Sequence, residues 1–274
     1  MKLITILGGT GFIGTEIIKQ LKKSHCNIYS PQRNDNLLFT ENLGTVIYAA
    51  GYGDCQKDPY NVLDANTTLL SHIIKEAKFD KLFYLSSTRL YLNQENTFEN
   101  ANIMIHTSDN RRLFNITKLA AEEICLKSNK NITIIRPSNV YGTAINSSLF
   151  LPSIVRDAIQ KKEINMFVSP EYSKDYISVN DLASAIIELI NLEEDISPII
   201  NIASGINTKA EDLVNIIKNK TSCNINWNFN KDNEEKFPPI NINLIKKYIN
   251  YNPSNVLNDL SFMIDDFTVK LKNL

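Results

Sequence analysis

The chain has 274 residues, 43% hydrophobic and 22% charged, with 29 Lys and Arg against 30 Asp and Glu. This length can bury the core of one large α/β domain with a smaller appendage. A formal net charge of −1 supplies no long-range field for nucleic acid or an anionic membrane surface, so any anionic ligand must be gripped locally.

Met1–Leu7 is too short for a secretory leader and runs straight into a glycine loop. No apolar run approaches the roughly 20 residues that cross a bilayer, so the expected location is the cytoplasm. Residues 2–7 read as a short buried strand, and a helical pattern follows from Phe12 to Lys23. Strand-like runs recur at 28–30, 46–50, 82–86 and 132–136, with helical stretches at 62–77 and 113–126 between them. Such alternation implies an α/β fold with a doubly wound parallel sheet, whose ligand crevice opens at the carboxyl ends of the strands. After Tyr141-Gly142 the alternation loosens. Helices are expected at 149–160, 180–190, 209–219 and 255–270, and 224–239 reads as an irregular loop. The four cysteines lack paired or metal-ligand spacing, and the three histidines are scattered, so neither a zinc site nor a serine-hydrolase triad has its parts.

Gly8-Gly9-Thr10-Gly11-Phe12-Ile13-Gly14 sits between the first strand and the first helix, the context a dinucleotide fingerprint requires. Glycines permit a tight turn and close backbone approach to a pyrophosphate, and the helix start offers unpaired N–H groups. Gly8, Gly11, Phe12, Ile13 and Gly14 are therefore expected to bind NAD or NADP, with Ala49, Ala50 and Pro137 completing the set at the ends of later strands. The second strand runs into Ser30-Pro31-Gln32-Arg33 with no acid for a ribose hydroxyl. Arg33 could pair with a 2′-phosphate, which leans the reading toward NADP.

Together with the glycine loop, Ser86-Ser87-Thr88-Arg89-Leu90-Tyr91, the Lys118 segment, Arg136-Pro137-Ser138-Asn139-Val140-Tyr141-Gly142 and Lys174-Asp175-Tyr176 resemble the NAD-dependent epimerase/dehydratase family of extended short-chain dehydrogenases/reductases. The resemblance extends to Asn66-Thr67-Thr68 and to the tail around Tyr251-Asn252-Pro253. It implies a Rossmann-type NAD(P) domain over 1–145, with later contributions from 175–205, and a smaller substrate-binding lid over 146–274. It also implies a nucleoside-diphosphate sugar as partner, no metal, and a possible homodimer. In such enzymes a Ser or Thr, a Tyr and a Lys share the chemistry. Ser87, with Thr88 as second candidate, matches the hydroxyl position; Lys118 matches the Lys and would also touch the nicotinamide ribose. Arg89, Asn139 and Lys174 fall at positions expected to face substrate.

The chain departs from the pattern at Phe114, four residues before Lys118, where the family carries Tyr. Phenylalanine has no proton to give. Three explanations are open: an engineered Tyr→Phe substitution, which the intact surroundings favour, a natural enzyme with a substitute acid, and a non-catalytic NAD(P)-binding relative. Arg89, two residues after Ser87, stays protonated and cannot act as an ordinary base, which disfavours elimination and carbanion epimerisation. What remains is reduction of a 4-keto sugar, the favoured reading, or 4-epimerisation. A small-molecule reductase on the same fold is a further competitor.

Overall fold

The structure, a computed structural model, describes residues 2–229 and 235–273. Six parallel strands form the central sheet: β1 (Lys2–Leu7), β2 (Cys26–Tyr29), β3 (Thr45–Tyr48), β4 (Lys81–Leu85), β5 (Ile132–Pro137) and β9 (Ile199–Ile202), in the order β2-β1-β3-β4-β5-β9. The residues of β3 are buried throughout, as a parallel sheet covered on both faces demands of a Thr-Val-Ile-Tyr run. On one face α1 (Phe12–Leu21) and α7 (Val179–Ile190) pack Ile17, Leu21, Leu182 and Ile186 against Ile4, Ile6 and Phe83. On the other, α4 (Leu69–Glu76) and α5 (Arg112–Lys127) place Leu70, Ile73, Ala121 and Cys125 against Val46, Tyr48 and Tyr84. Strand order reverses between β1 and β3, and the crevice predicted for such a switch point opens there.

A second core lies beside the sheet. Helices α6 (Phe150–Gln160), α8 (Ala210–Thr221) and α10 (Val256–Lys272) cover a three-stranded sheet of β6 (Asn139–Tyr141), β8 (Ser173–Ser178) and β10 (Asn207–Lys209), and a parallel pair of β7 (Glu163–Met166) with β11 (Asn224–Trp227). Short helices α2 (Leu37–Thr40), α3 (Pro59–Leu63) and α9 (Ile245–Tyr248) complete the set among the described residues. α7 and β9 return to the first core. No helix among the described residues is long and apolar enough to cross a membrane.

Two sequence expectations need correction. The stretch 224–239 begins with the strand β11, where Ile225 and Trp227 turn inward and Asn224 and Asn226 outward; the asparagines mask this alternation. Residues 230–234 lie outside the described set. The helix expected over 62–77 is instead α3 and α4 joined by a π-helical turn at Asp64–Thr68. A wide turn leaves carbonyls unpaired within the helix, and two buried tyrosines supply the missing donors: Tyr48 Oη donates to Ala65 O (2.7 Å) and Tyr84 Oη to Asn66 O (3.1 Å). The same turn delivers buried Asn66, whose amide accepts from Tyr52 N (3.1 Å) and donates to Tyr52 O (3.0 Å), pinning the loop after β3.

Candidate active site

Gly8 adopts φ +84°, and a Cβ on it would lie 2.6 Å from Ala50 N. A Cβ on Gly14 would stand 2.2 Å from Gly8 O, so only glycine lets α1 sit directly on the turn. α1 starts from Gly11, which has no side chain to cap it, and its first amides are left for an outside acceptor. Gly11, Phe12, Ile13, Ala49, Ala50 and Pro137 line one cleft of about 390 Å³, while Gly8 and Gly14 shape the turn beneath it. Bare main chain, a positive helix end and no room for side chains suit a pyrophosphate, so these residues fit a dinucleotide.

Ser87 and Thr88 reach the same cleft at the end of β4, where a 3₁₀ turn spans Thr88–Tyr91. Ser87 Oγ accepts from Arg89 N (3.1 Å); this cap uses a lone pair and leaves the hydroxyl proton for a ligand. Lys118 lies on α5, one turn beyond Phe114, and donates to Leu85 O (2.7 Å). Its ammonium is 4.8 Å from the Tyr84 ring centroid and 5.9 Å from that of Phe114. Burial pushes the Lys118 ammonium down from 10.5 to about 7, although the Glu122 charge opposes the shift.

Arg89 borders the cleft, yet its guanidinium is committed to the protein. It donates to Asp109 Oδ1 (2.9 Å) and, through both terminal amines, to Glu235. A guanidinium only 7% exposed needs such counter-charges, and its Nε is left without a hydrogen-bond partner at the cleft it lines. Asp109 also accepts from Arg111 N (2.8 Å) and Asn115 Nδ2 (2.7 Å), fixing the start of α5. Lys174 Nζ sits 4.0 Å from Glu235 Oε2 and over the Phe237 ring at 4.4 Å. Burial first, then the Arg89 and Arg111 charges, bring it to about 8 against the pull of Glu235. Asn139 borders the cleft and spends its amide on Asp175 O (2.8 Å).

Arg33 is not brought into this cleft. Its guanidinium donates to Asn61 Oδ1 (3.0 Å) and lines a separate hollow with Asp35, Asp64 and His72. Conversely, sequence reasoning missed Arg111, Glu235 and Phe237, all on the cleft or its ion pairs. Asp109 had a local signal, an acid three residues before a helix start; Glu235 had none, lying 146 residues from the arginine it holds. Tyr91 is in the core, where its hydroxyl accepts from Arg136 (2.7 Å) and donates to Asn201 Oδ1 (3.0 Å). Among the described residues, no group of three or more His, Cys, Asp or Glu could hold a metal.

Lys118 gives the protein a specific pH dependence. Unfolded, it binds its proton up to 10.5, whereas folded it releases it near 7, so the unfolded chain holds more protons throughout that window. Stability should therefore rise with pH between about 7 and 10.5, with Lys174 adding to the slope above about 8. Lys118→Met is expected to flatten the rise, measured as Tm against pH; an unchanged slope would contradict the burial-lowered proton affinity of Lys118.

A sequence model described as the NAD dependent epimerase/dehydratase family matches residues 4–203. The dTDP-L-rhamnose 4-epimerase of Burkholderia thailandensis is 29% identical over 113 residues, covering 38% of this chain and 31% of that enzyme. Among solved structures, a UDP-glucuronic acid 4-epimerase from Bacillus cereus in complex with UDP-glucuronic acid and NAD superposes over 99% of this chain and 100% of its own, at 17% identity and TM-score 0.82. RMD from Pseudomonas aeruginosa, complexed with NADPH, superposes over 98% and 100%, at 19% identity and TM-score 0.77.

Proposed function

Because the chain belongs to the NAD dependent epimerase/dehydratase family, we propose that it holds NAD or NADP against α1 and acts at C4 of a nucleoside-diphosphate sugar. One observation carries the reading: the uncapped start of α1 and the Ser87, Lys118 and Lys174 side chains border a single cleft. The segment from residue 146 on, apart from α7 and β9, serves as the lid over the sugar.

A bound nicotinamide would supply the hydride acceptor and donor; the chain's own groups do the rest. Gly11, Phe12 and Ile13 offer backbone to the pyrophosphate, with Ala49, Ala50 and Pro137 as the neighbouring walls. Ser87 can donate to the reacting sugar oxygen and orient it. Lys118, held by Leu85 O, sets the local positive potential and reaches the ribose. Lys174 faces the diphosphate as a point charge without the fork of an arginine. Phe114 offers no proton, so this chain is expected to turn over slowly. The intact Ser87, Lys118 and Asp109-held helix start around it favour a substituted or adapted site over a decayed one.

Between reduction of a 4-keto sugar and 4-epimerisation, the likeness to 4-epimerases moves the reading toward the latter. The missing acid after β2 still supports NADP, while the similar structures carry NAD in one case and NADPH in the other. Calorimetry with NAD and NADP is the test. Micromolar binding of either is expected, and Gly14→Ala should weaken it by more than about tenfold, because a displaced turn no longer presents its amides. No heat from either dinucleotide at millimolar concentration would overturn the proposal.

A further inference from the structure

With Phe114 at the tyrosine position, a proton leaving or reaching C4 needs another carrier. Among the described residues, the titratable side chains lining the cleft are Tyr52, Arg89, Arg111, Lys118, Lys174 and Tyr176. Guanidinium groups hold their protons at any working pH. Burial pushes the Tyr176 phenol up, and Lys174 is drawn to Glu235 and Phe237. Lys118 stands one helical turn from Phe114, with its Nζ 5.9 Å from that ring's centroid, and Tyr52 is the other group left.

Of the two, Lys118 has the surroundings of a group that gives up its proton readily. It carries three N–H donors, and among the described residues only Leu85 O accepts from it (2.7 Å). The carboxylate one turn along the helix, Glu122, has both oxygens taken by Arg136, from Nε (3.0 Å) and Nη2 (2.5 Å). The Tyr84 phenol from β4 and the Cys125 thiol from α5 stay neutral, since burial pushes both up, the thiol to about 12. The other charge at the Phe114 ring is the Arg111 cation, 4.9 Å from its centroid. The loop after β3 meets Nζ with Gly51, where a Cβ would lie 3.5 Å from it, so no side chain screens the nitrogen on that side. Burial therefore outweighs the distant pull of Glu122, and the ammonium falls to about 7. An amine at this place still donates one N–H to Leu85 O and keeps its lone pair for a ligand.

We propose that Lys118 is itself the proton carrier, taking the place of the hydroxyl that position 114 lacks. In the oxidising direction the O–H bond at C4 of the sugar breaks, and its proton joins the Nζ lone pair to form the ammonium. The C4–H bond breaks with its electron pair, which passes as hydride to a nicotinamide dinucleotide, and C4 becomes a carbonyl carbon. Reduction reverses each change, with the ammonium returning its proton to the carbonyl oxygen. Ser87 keeps its own hydroxyl proton throughout and orients that oxygen. This inference rests on the nucleotide-sugar reading and adds a step to it.

The first measurement is the titration of Lys118 by NMR of the full chain labelled with 13C-lysine, assigned by the signal lost in Lys118→Arg or Lys118→Met. A midpoint near 7 is expected, and one above about 9, toward the value of a free lysine, would overturn the proposal. The second is turnover of a panel of UDP- and dTDP-hexoses with NAD or NADP. The parent should turn over slowly, and hydride transfer to the dinucleotide should rise with pH to a plateau above the NMR midpoint, because only the amine accepts a proton. Lys118→Arg keeps the charge and the donors but has no lone pair to offer, so it should lower that rate by at least about 10²-fold. A rate kept in Lys118→Arg and lost in Tyr52→Phe would give the role to Tyr52 and overturn the proposal. So would a parent that is inert with every sugar while Phe114→Tyr turns over. Inertness of both, with no binding of UDP or dTDP, would overturn the nucleotide-sugar reading beneath it.

Discussion

Phe114→Tyr is expected to raise kcat by about 10²–10⁴-fold, the range over which a positioned general acid or base contributes. The ring already lines the cleft, with Lys118 Nζ 5.9 Å from its centroid and Ser87 lining the same cleft. A hydroxyl added there enters the cleft, so Tm should change little. The Lys118 ammonium would favour phenolate over phenol, giving the site a base near neutral pH. Turnover is read by nucleotide-sugar product analysis with NAD and NADP, across a panel of nucleoside-diphosphate sugars. A variant no faster than the parent, in a protein that still binds dinucleotide tightly, would favour a non-catalytic NAD(P)-binding relative.

Glu122→Ala should cost about 3–5 kcal/mol of stability, because it leaves a buried guanidinium without its counter-charge. Arg136, on β5 and 3% exposed, donates through Nε (3.0 Å) and Nη2 (2.5 Å) to Glu122, on α5 and 1% exposed. Its remaining amine meets Tyr91 Oη (2.7 Å) and Glu99 O (3.3 Å), so the cation cannot turn elsewhere. The pair fastens the helix carrying Phe114 and Lys118 to the central sheet. Tm should fall by about 10 °C, and the double variant Glu122→Leu with Arg136→Met should recover most of the loss, since apolar replacement of both partners removes the buried charge altogether. A single variant within about 1 kcal/mol of the parent would show that the pair is not desolvated as described.

Much of the fold was legible along the chain because it depends on near neighbours. The glycine spacing after β1 and the alternation of β-branched runs with helical stretches are local patterns with one physical reading each. Breaks in regular structure were harder to read. The π turn at 64–68 exists because Tyr48 and Tyr84 lie on neighbouring strands and can satisfy its free carbonyls, a fact no window of residues contains.

By itself the sequence determined a glycine turn and a helix start at the switch point of a parallel sheet, since turn geometry and hydrophobic period are short-range properties; Ser87 and Lys118 were added to that crevice only by the family resemblance of their motifs. Which charges stay free was decided by tertiary structure. Both terminal amines of Arg89 were taken up by Glu235, which meets it across 146 residues, whereas Arg111 stacks over Phe114 at the cleft. A buried charge takes whatever counter-charge the packing brings within reach, and that depends on long-range contacts that chain order does not encode.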